Sequence, residues 1–211
     1  VQSPNDPVFA IPQIQMFVRE ANALALESKE VVVVEGNHDE RWSKIVGVNP
    51  QFLKGAKGLT LEDQCRAHGL SPNVKWFRED VEHKGVKCGP FMLRHGHKQS
   101  GRFGGAKHLS SNRLDKTLGQ SEVFGHHHRA QMFCKTSYGK TAIAIANPAM
   151  TGGHEYAPDA DWQQGFTVLE VFGKGESQCT PHLIVMSEGA FAWGGKVYDG
   201  NYILKEKARK R

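Results

Sequence analysis

The side chains in this chain best able to hold a metal ion or move a proton fall in three short loops. They are Gly36-Asn37-His38-Asp39-Glu40-Arg41, then His95-Gly96-His97, then Gly125-His126-His127-His128. Each loop directly follows an apolar run: Val31–Val34, Phe91–Arg94 and Val123-Phe124 in turn. In open α/β sheets, ligand-binding groups gather outside the carboxyl ends of the strands, so three such loops can share one site. Glycine beside each candidate ligand lets backbone and ion approach closely. Imidazole together with an amide oxygen suits a borderline metal such as Mn, Fe or Zn rather than Ca. Eleven histidines against four cysteines point the same way, because histidine is the commonest metal ligand. Singly, each loop is ordinary. An Asn-His-Asp run is often a turn closed by an Asx bond, and a histidine triplet can bind metal adventitiously. Their coincidence after three apolar runs carries the reading.

In this order and form, Gly36-Asn37-His38-Asp39, His95 and Gly125-His126-His127-His128 resemble the last three motifs of the calcineurin-like metallophosphoesterase superfamily, which are G-N-H-D/E, an isolated His, and G-H-x-H. The likeness spans Val31 to about Asn147. It implies a layered α/β/β/α sandwich of two mixed sheets, lacking here its N-terminal strands. It also implies a metal-dependent hydrolase acting on phosphate esters, a phosphodiesterase or nuclease first. By that resemblance Asn37, His95 and His126 hold a second metal, His128 is a ligand of the first, and His38, held by Asp39, protonates the leaving oxygen. His97 and His127 match no family ligand, and strand alternation would turn His127 away from the metals. The implied cofactor is Mn, with Fe, Zn or Mg as alternatives.

The family's upstream motifs, D-x-H and G-D-x-x-D, have no match: the chain contains neither D-x-H nor a Gly-Asp dipeptide. These motifs supply most first-metal ligands and the carboxylate that bridges the two ions. A complete enzyme holds two ions, so the expectation here is one or none. An N-terminal segment or a separate chain is the expected source of the missing ligands, with Asp6 a poor substitute in its Pro-Asn-Asp-Pro turn. The alternative is a non-catalytic nucleic-acid-binding or assembly protein that keeps the fold.

The elements that must position the loops follow from periodicity. Ile11, Ile14, Val18, Ala21 and Ala25 mark a helix over Ile11–Glu27, and Val31–Val34 suits a strand buried on both faces. Thr60 with Asp63 predicts a capping box, stapled by Leu59, for a helix that Gly69 ends. Val74–Phe77, Val81–His83, Val86–Cys88 and Phe91–Arg94 read as strands, and Ala106–Leu118 as a helix. Val123-Phe124, Gln131–Thr136, Thr141–Ala146, Phe166–Phe172 and Leu183–Met186 complete the strands.

The 211 residues are expected to form one domain over 1–204 with a basic tail at 205–211. The formal net charge is +5. The tail supplies five basic residues and one acidic, a net of +4, leaving +1 for the rest. Within that rest, Arg94–Lys116 carries six basic residues against Asp115, a net of +5. This segment could grip a phosphate-ester substrate or nucleic acid, with Arg41, Arg94, Lys98 and Arg102 as candidate substrate-binding residues. Aromatic interleaving is sparse, so base stacking is not indicated. No run reaches ~18 apolar residues, so no membrane partner is expected. Widely spaced cysteines without C-x-x-C suit a reducing, cytoplasmic setting.

Overall fold

A computed structural model describes residues 7–37, 39, 58, 60–78, 85–97, 105–117, 119–150 and 161–200. The chain is a mixed α/β protein with several sheets, and it divides into two compact units, Val1–Lys84 and Gly85–Arg211.

In the first unit, α1 (Pro7–Glu27) leads into β1 (Val31–Val34), and α2 (Leu61–Ala67) leads into β2 (Val74–Phe77). The helix begins earlier than its apolar spacing suggests. Pro7 suits a first helical position, where the missing N–H costs nothing. Ile14, Val18 and Ala21 form one buried stripe against Cys65, Leu70 and Val74, and the Phe17 ring stands edge-on to Trp76 at 5.9 Å. Strands β1 and β2 pair in parallel, Val31 opposite Val74 through Val34 opposite Phe77. All four β1 valines are half-buried rather than enclosed on both faces, a correction to the reading of that run.

Helix α2 forms where its caps dictate. Thr60 Oγ1 accepts from the Asp63 amide at 3.0 Å, and Asp63 Oδ2 accepts from the Thr60 amide at 3.2 Å. At the other end Gly69 takes φ 91°, donating to Arg66 O at 3.0 Å while Leu70 donates to Cys65 O at 2.9 Å. These two bonds satisfy carbonyls that a helix end otherwise leaves open. Leu59 and Val81–His83 lie outside the described residues.

The second unit is built on a five-stranded mixed sheet in the order β3-β4-β5-β7-β6. Its strands are β3 (Val86–Cys88), β4 (Phe91–Arg94), β5 (Glu122–Phe124), β6 (Gln131–Ser137) and β7 (Lys140–Ala146). The central β4, β5 and β7 run parallel, and β3 and β6 are antiparallel edges. Where one helix was expected over Ala106–Leu118, a 3₁₀ turn (Gly105–His108) precedes α3 (Leu109–Lys116). Leu109 and Leu114 of α3 bury with Phe124, Ala142, Ala144 and Ala146. The small alanines of β7 let the helix lie close to the sheet.

Two hairpins follow: β8 (Gly165–Phe172) with β9 (Gln178–Val185), and β10 (Ala190–Trp193) with β11 (Lys196–Asp199). Strand β9 starts well before the expected Leu183, since its polar start and Pro181 hid it. The last hairpin turns at Gly194-Gly195, both at positive φ (56° and 74°), as a two-residue hairpin loop requires. Among the described residues no helix is long and apolar enough to cross a membrane.

Candidate metal centre

The second unit brings two of the three loops together. Parallel pairing sets Arg94 beside Phe124, so β4 and β5 end level and His95 and Gly125 leave the sheet side by side. Gly125 donates to Arg94 O at 3.3 Å, carrying the ladder one step past the strands. The His95 and His126 ring centroids are then 5.3 Å apart, His95 and His97 5.2 Å, and His97 and His126 6.2 Å. Two imidazoles bound tetrahedrally to one ion at ~2.0–2.1 Å would hold their centroids roughly 5 Å apart. The His95–His126 and His95–His97 pairs both have that spacing.

The backbone is bent to achieve it. His127 N–H donates to Gly125 O at 2.8 Å across His126, whose φ is 70°, which is a γ-turn of the rarer, strained hand. His128 also sits at positive φ, 55°. Non-glycine residues in such conformations cost about 1–3 kcal/mol each, and they gather at functional sites. Because the chain turns at once after Phe124, the expected alternation does not extend to His127. Its ring packs against His126 at 5.0 Å and Phe124 at 6.3 Å, and burial, with Arg129 and His128 nearby, pushes its pKa down. Gly96 serves the same fit: at φ 92°, a Cβ there would meet the Phe124 Cβ at 3.2 Å.

His128 is held differently. Its ring stands edge-on to Trp162 at 4.8 Å, and its carbonyl accepts from the Gln163 amide at 2.9 Å. Trp162 was not anticipated, since no local pattern marks an aromatic 34 residues downstream as a histidine's support. His97 matches no ligand of the family that the motifs resemble, yet its ring is as close to His95 as that of His126.

The Gly36–Arg41 loop belongs to the first unit. Asp39 Oδ2 accepts from the Gly36 amide at 2.7 Å, closing the loop on itself. Asn37 is half-buried beside it. The preceding Glu35 is buried, accepting from Trp76 Nε1 at 2.7 Å with Arg78 Nε 3.2 Å away. So the loop leaves β1 from a fixed point. His38, Arg41, Lys98 and Arg102 lie outside the described residues.

Arg94 turns onto the sheet face, its Nε 3.5 Å from the Glu122 carboxylate. Glu122, 1% exposed, also accepts from Arg113 Nη2 at 2.6 and 2.7 Å. Arg94 and Arg113 therefore share one buried carboxylate from outside the segment, which cancels one of its six positive charges. Its charge count overstates the positive field it shows to solvent.

The donor set fits a metal only in part. The imidazole pairs have ligand spacing, but among the described residues no group of three His, Cys, Asp or Glu side chains could hold an ion. A complete site needs donors beyond this cluster.

No family's sequence model and no curated protein matches the chain. Among solved structures it is similar to a single mutant of Vps29 from Entamoeba histolytica, 19% identical over 90% of this chain and 87% of that one, with a TM-score of 0.39. It is also similar to a double mutant of the same protein, 15% identical over 87% of this chain and 86% of that one, with the same TM-score of 0.39.

Proposed function

We propose that this chain carries part of the active site of a metal-dependent phosphoesterase acting on a phosphate ester, with phosphodiesters or nucleic acid first in line. One observation carries the reading: His95 and His126, from two separate motifs, lie with ring centroids 5.3 Å apart at adjacent parallel strand ends. The order of the three loops, resembling calcineurin-like metallophosphoesterases, supports it.

In this reading His95 and His126 hold one divalent ion, Mn first, with Fe, Zn or Mg as alternatives, and His128 contributes to another. What bound cations supply is neutralisation of the ester's charge and a lower pKa for a coordinated water. The chain's own residues do the rest. His38 donates a proton to the leaving oxygen. Asp39, already tied to the Gly36 amide, keeps that loop closed, and the turn at His126 aims its imidazole toward His95. The carboxylates of the absent D-x-H and G-D motifs come from another segment, in cis or as a separate chain. Without them at most one ion per chain is held, and turnover is slow.

The test is metal content per chain after Mn loading, together with Mn-dependent hydrolysis of bis-p-nitrophenyl phosphate. Wild type should take up an ion that His95→Ala and His126→Ala lose, and a polypeptide bearing the missing motifs should raise both uptake and hydrolysis. Equal uptake by wild type and both variants would sink the proposal.

The second reading is a non-catalytic binding or assembly module, favoured by the missing carboxylate motifs. It predicts partner binding that is indifferent to EDTA.

A further inference from the structure

Strands β3 and β4 are joined by a two-residue turn, Gly89-Pro90. Gly89 has φ 54°, and a Cβ there would lie 2.7 Å from Val171 Cγ1 and 3.3 Å from the Glu176 carbonyl oxygen. The turn is thus seated against the β8–β9 hairpin, touching the end of β8 and the hairpin loop. Across the hairpin, Val171 is the direct partner of Cys179. Directly opposed residues of an antiparallel pair project from one face. Cys179 therefore emerges on the face that receives Gly89, whose chain neighbour is Cys88. Both are free thiols of intermediate exposure.

We propose that Cys88 and Cys179 form a reversible disulfide that ties the β3–β4 turn to the β8–β9 hairpin. The other two cysteines are placed differently: Cys65 is in the core of the first unit, and Cys134 is exposed on edge strand β6. Electrostatics agree with the proximity, since Cys88 is among the groups that raise the Cys179 thiol.

The oxidant is a small-molecule disulfide such as oxidised glutathione. One cysteine, as thiolate, attacks a glutathione sulfur, the glutathione S–S bond breaks, and one glutathione thiolate leaves a mixed disulfide behind. The second cysteine thiolate attacks the cysteine sulfur of that mixed disulfide and expels the other glutathione. Two cysteines lose two electrons, one glutathione disulfide becomes two thiols, and the cysteine protons pass through solvent to the leaving thiolates.

Burial raises both thiols, aided by Glu176 at Cys88, and by Cys88 and Glu170 at Cys179. The thiolate fraction at neutral pH is therefore small, and the bridge should form slowly there and faster near pH 9. The locked hairpin would hold the far end of β4, the strand that delivers His95. The proposal does not depend on whether those histidines bind metal.

The test uses the full chain incubated with oxidised glutathione at neutral and alkaline pH, then alkylated and digested without reduction. Mass spectrometry should find a Cys88–Cys179 linked peptide in monomeric protein lighter by two hydrogens. Formation should quicken with pH, persist in Cys134→Ser, and vanish in Cys88→Ser. Urea unfolding of the variants checks that they fold, and the oxidised wild type should unfold at higher urea than the reduced. Separate glutathione adducts on the two residues, links to Cys134 instead, or no reaction at alkaline pH would each overturn the proposal.

Discussion

His126 and Gly96 show how single residues bear the cost of the histidine cluster. His126 accepts a strained γ-turn, and Gly96 accepts a conformation that only glycine adopts freely while lying against Phe124. Replacing Gly96 with Ala should cost about 1–3 kcal/mol, read as a lower urea midpoint, and should weaken Mn uptake by moving His95 from His126. An unchanged midpoint would mean the loop relaxes without effort. His38 is a different kind of test, because it is argued to move a proton rather than bind the ion. His38→Ala should lower turnover of a complete enzyme about 10²–10⁴-fold with metal content intact. Parallel loss of metal and activity would make it a ligand instead. The residue types at both positions were readable in the sequence. The γ-turn was not, because a positive φ at histidine follows from what surrounds it.

At the scale of elements, Glu122 knits three pieces together: its own strand β5, Arg94 of β4 and Arg113 of α3. Breaking a buried ion pair from one side strands an uncompensated charge, so Glu122→Gln should destabilise the chain by about 3–5 kcal/mol in urea unfolding. A paired Glu122→Leu, Arg113→Met variant should lose less than either single change, and simple additivity would argue against the network. In the first unit, Cys65 is 1% exposed, and burial, with Asp39 adding to it, pushes its thiol from an ordinary 9.0 up to about 11. Because folding favours the protonated thiol, this stability is fully present below pH 9 and is lost as pH rises through about 11. The loss is at most about 3 kcal/mol. Wild type should therefore lose more stability over that range than Cys65→Ala, and identical pH profiles would refute the assignment. Helix α2 was legible to the residue, since Thr60, Asp63 and Gly69 act within a few positions of themselves. The last hairpin was missed, though Gly194-Gly195 between Ala-Phe-Ala-Trp and Lys-Val-Tyr-Asp held the signal.

For the molecule as a whole, charge governs any contact with a polyanion. Deleting 205–211 removes a net +4 of the total +5, and Glu122 already cancels one positive charge of the other basic segment. Oligonucleotide binding in EDTA should therefore fall sharply on deletion of 205–211, and the salt slope of log K should shrink by about 3. Undiminished binding would point to Lys98 and Arg102 instead. What the sequence determined alone was local: the α1 stripe, the caps of α2, most of the strands and the three loops at their ends. Each depends on periodicity or on contacts within a few residues, which the order of residues encodes directly. The tertiary structure decided which charges are spent on one another, which histidines meet, and that Trp162 supports His128. Those depend on strand order and on residues distant in sequence, so they exist only once β4, β5 and β7 lie side by side.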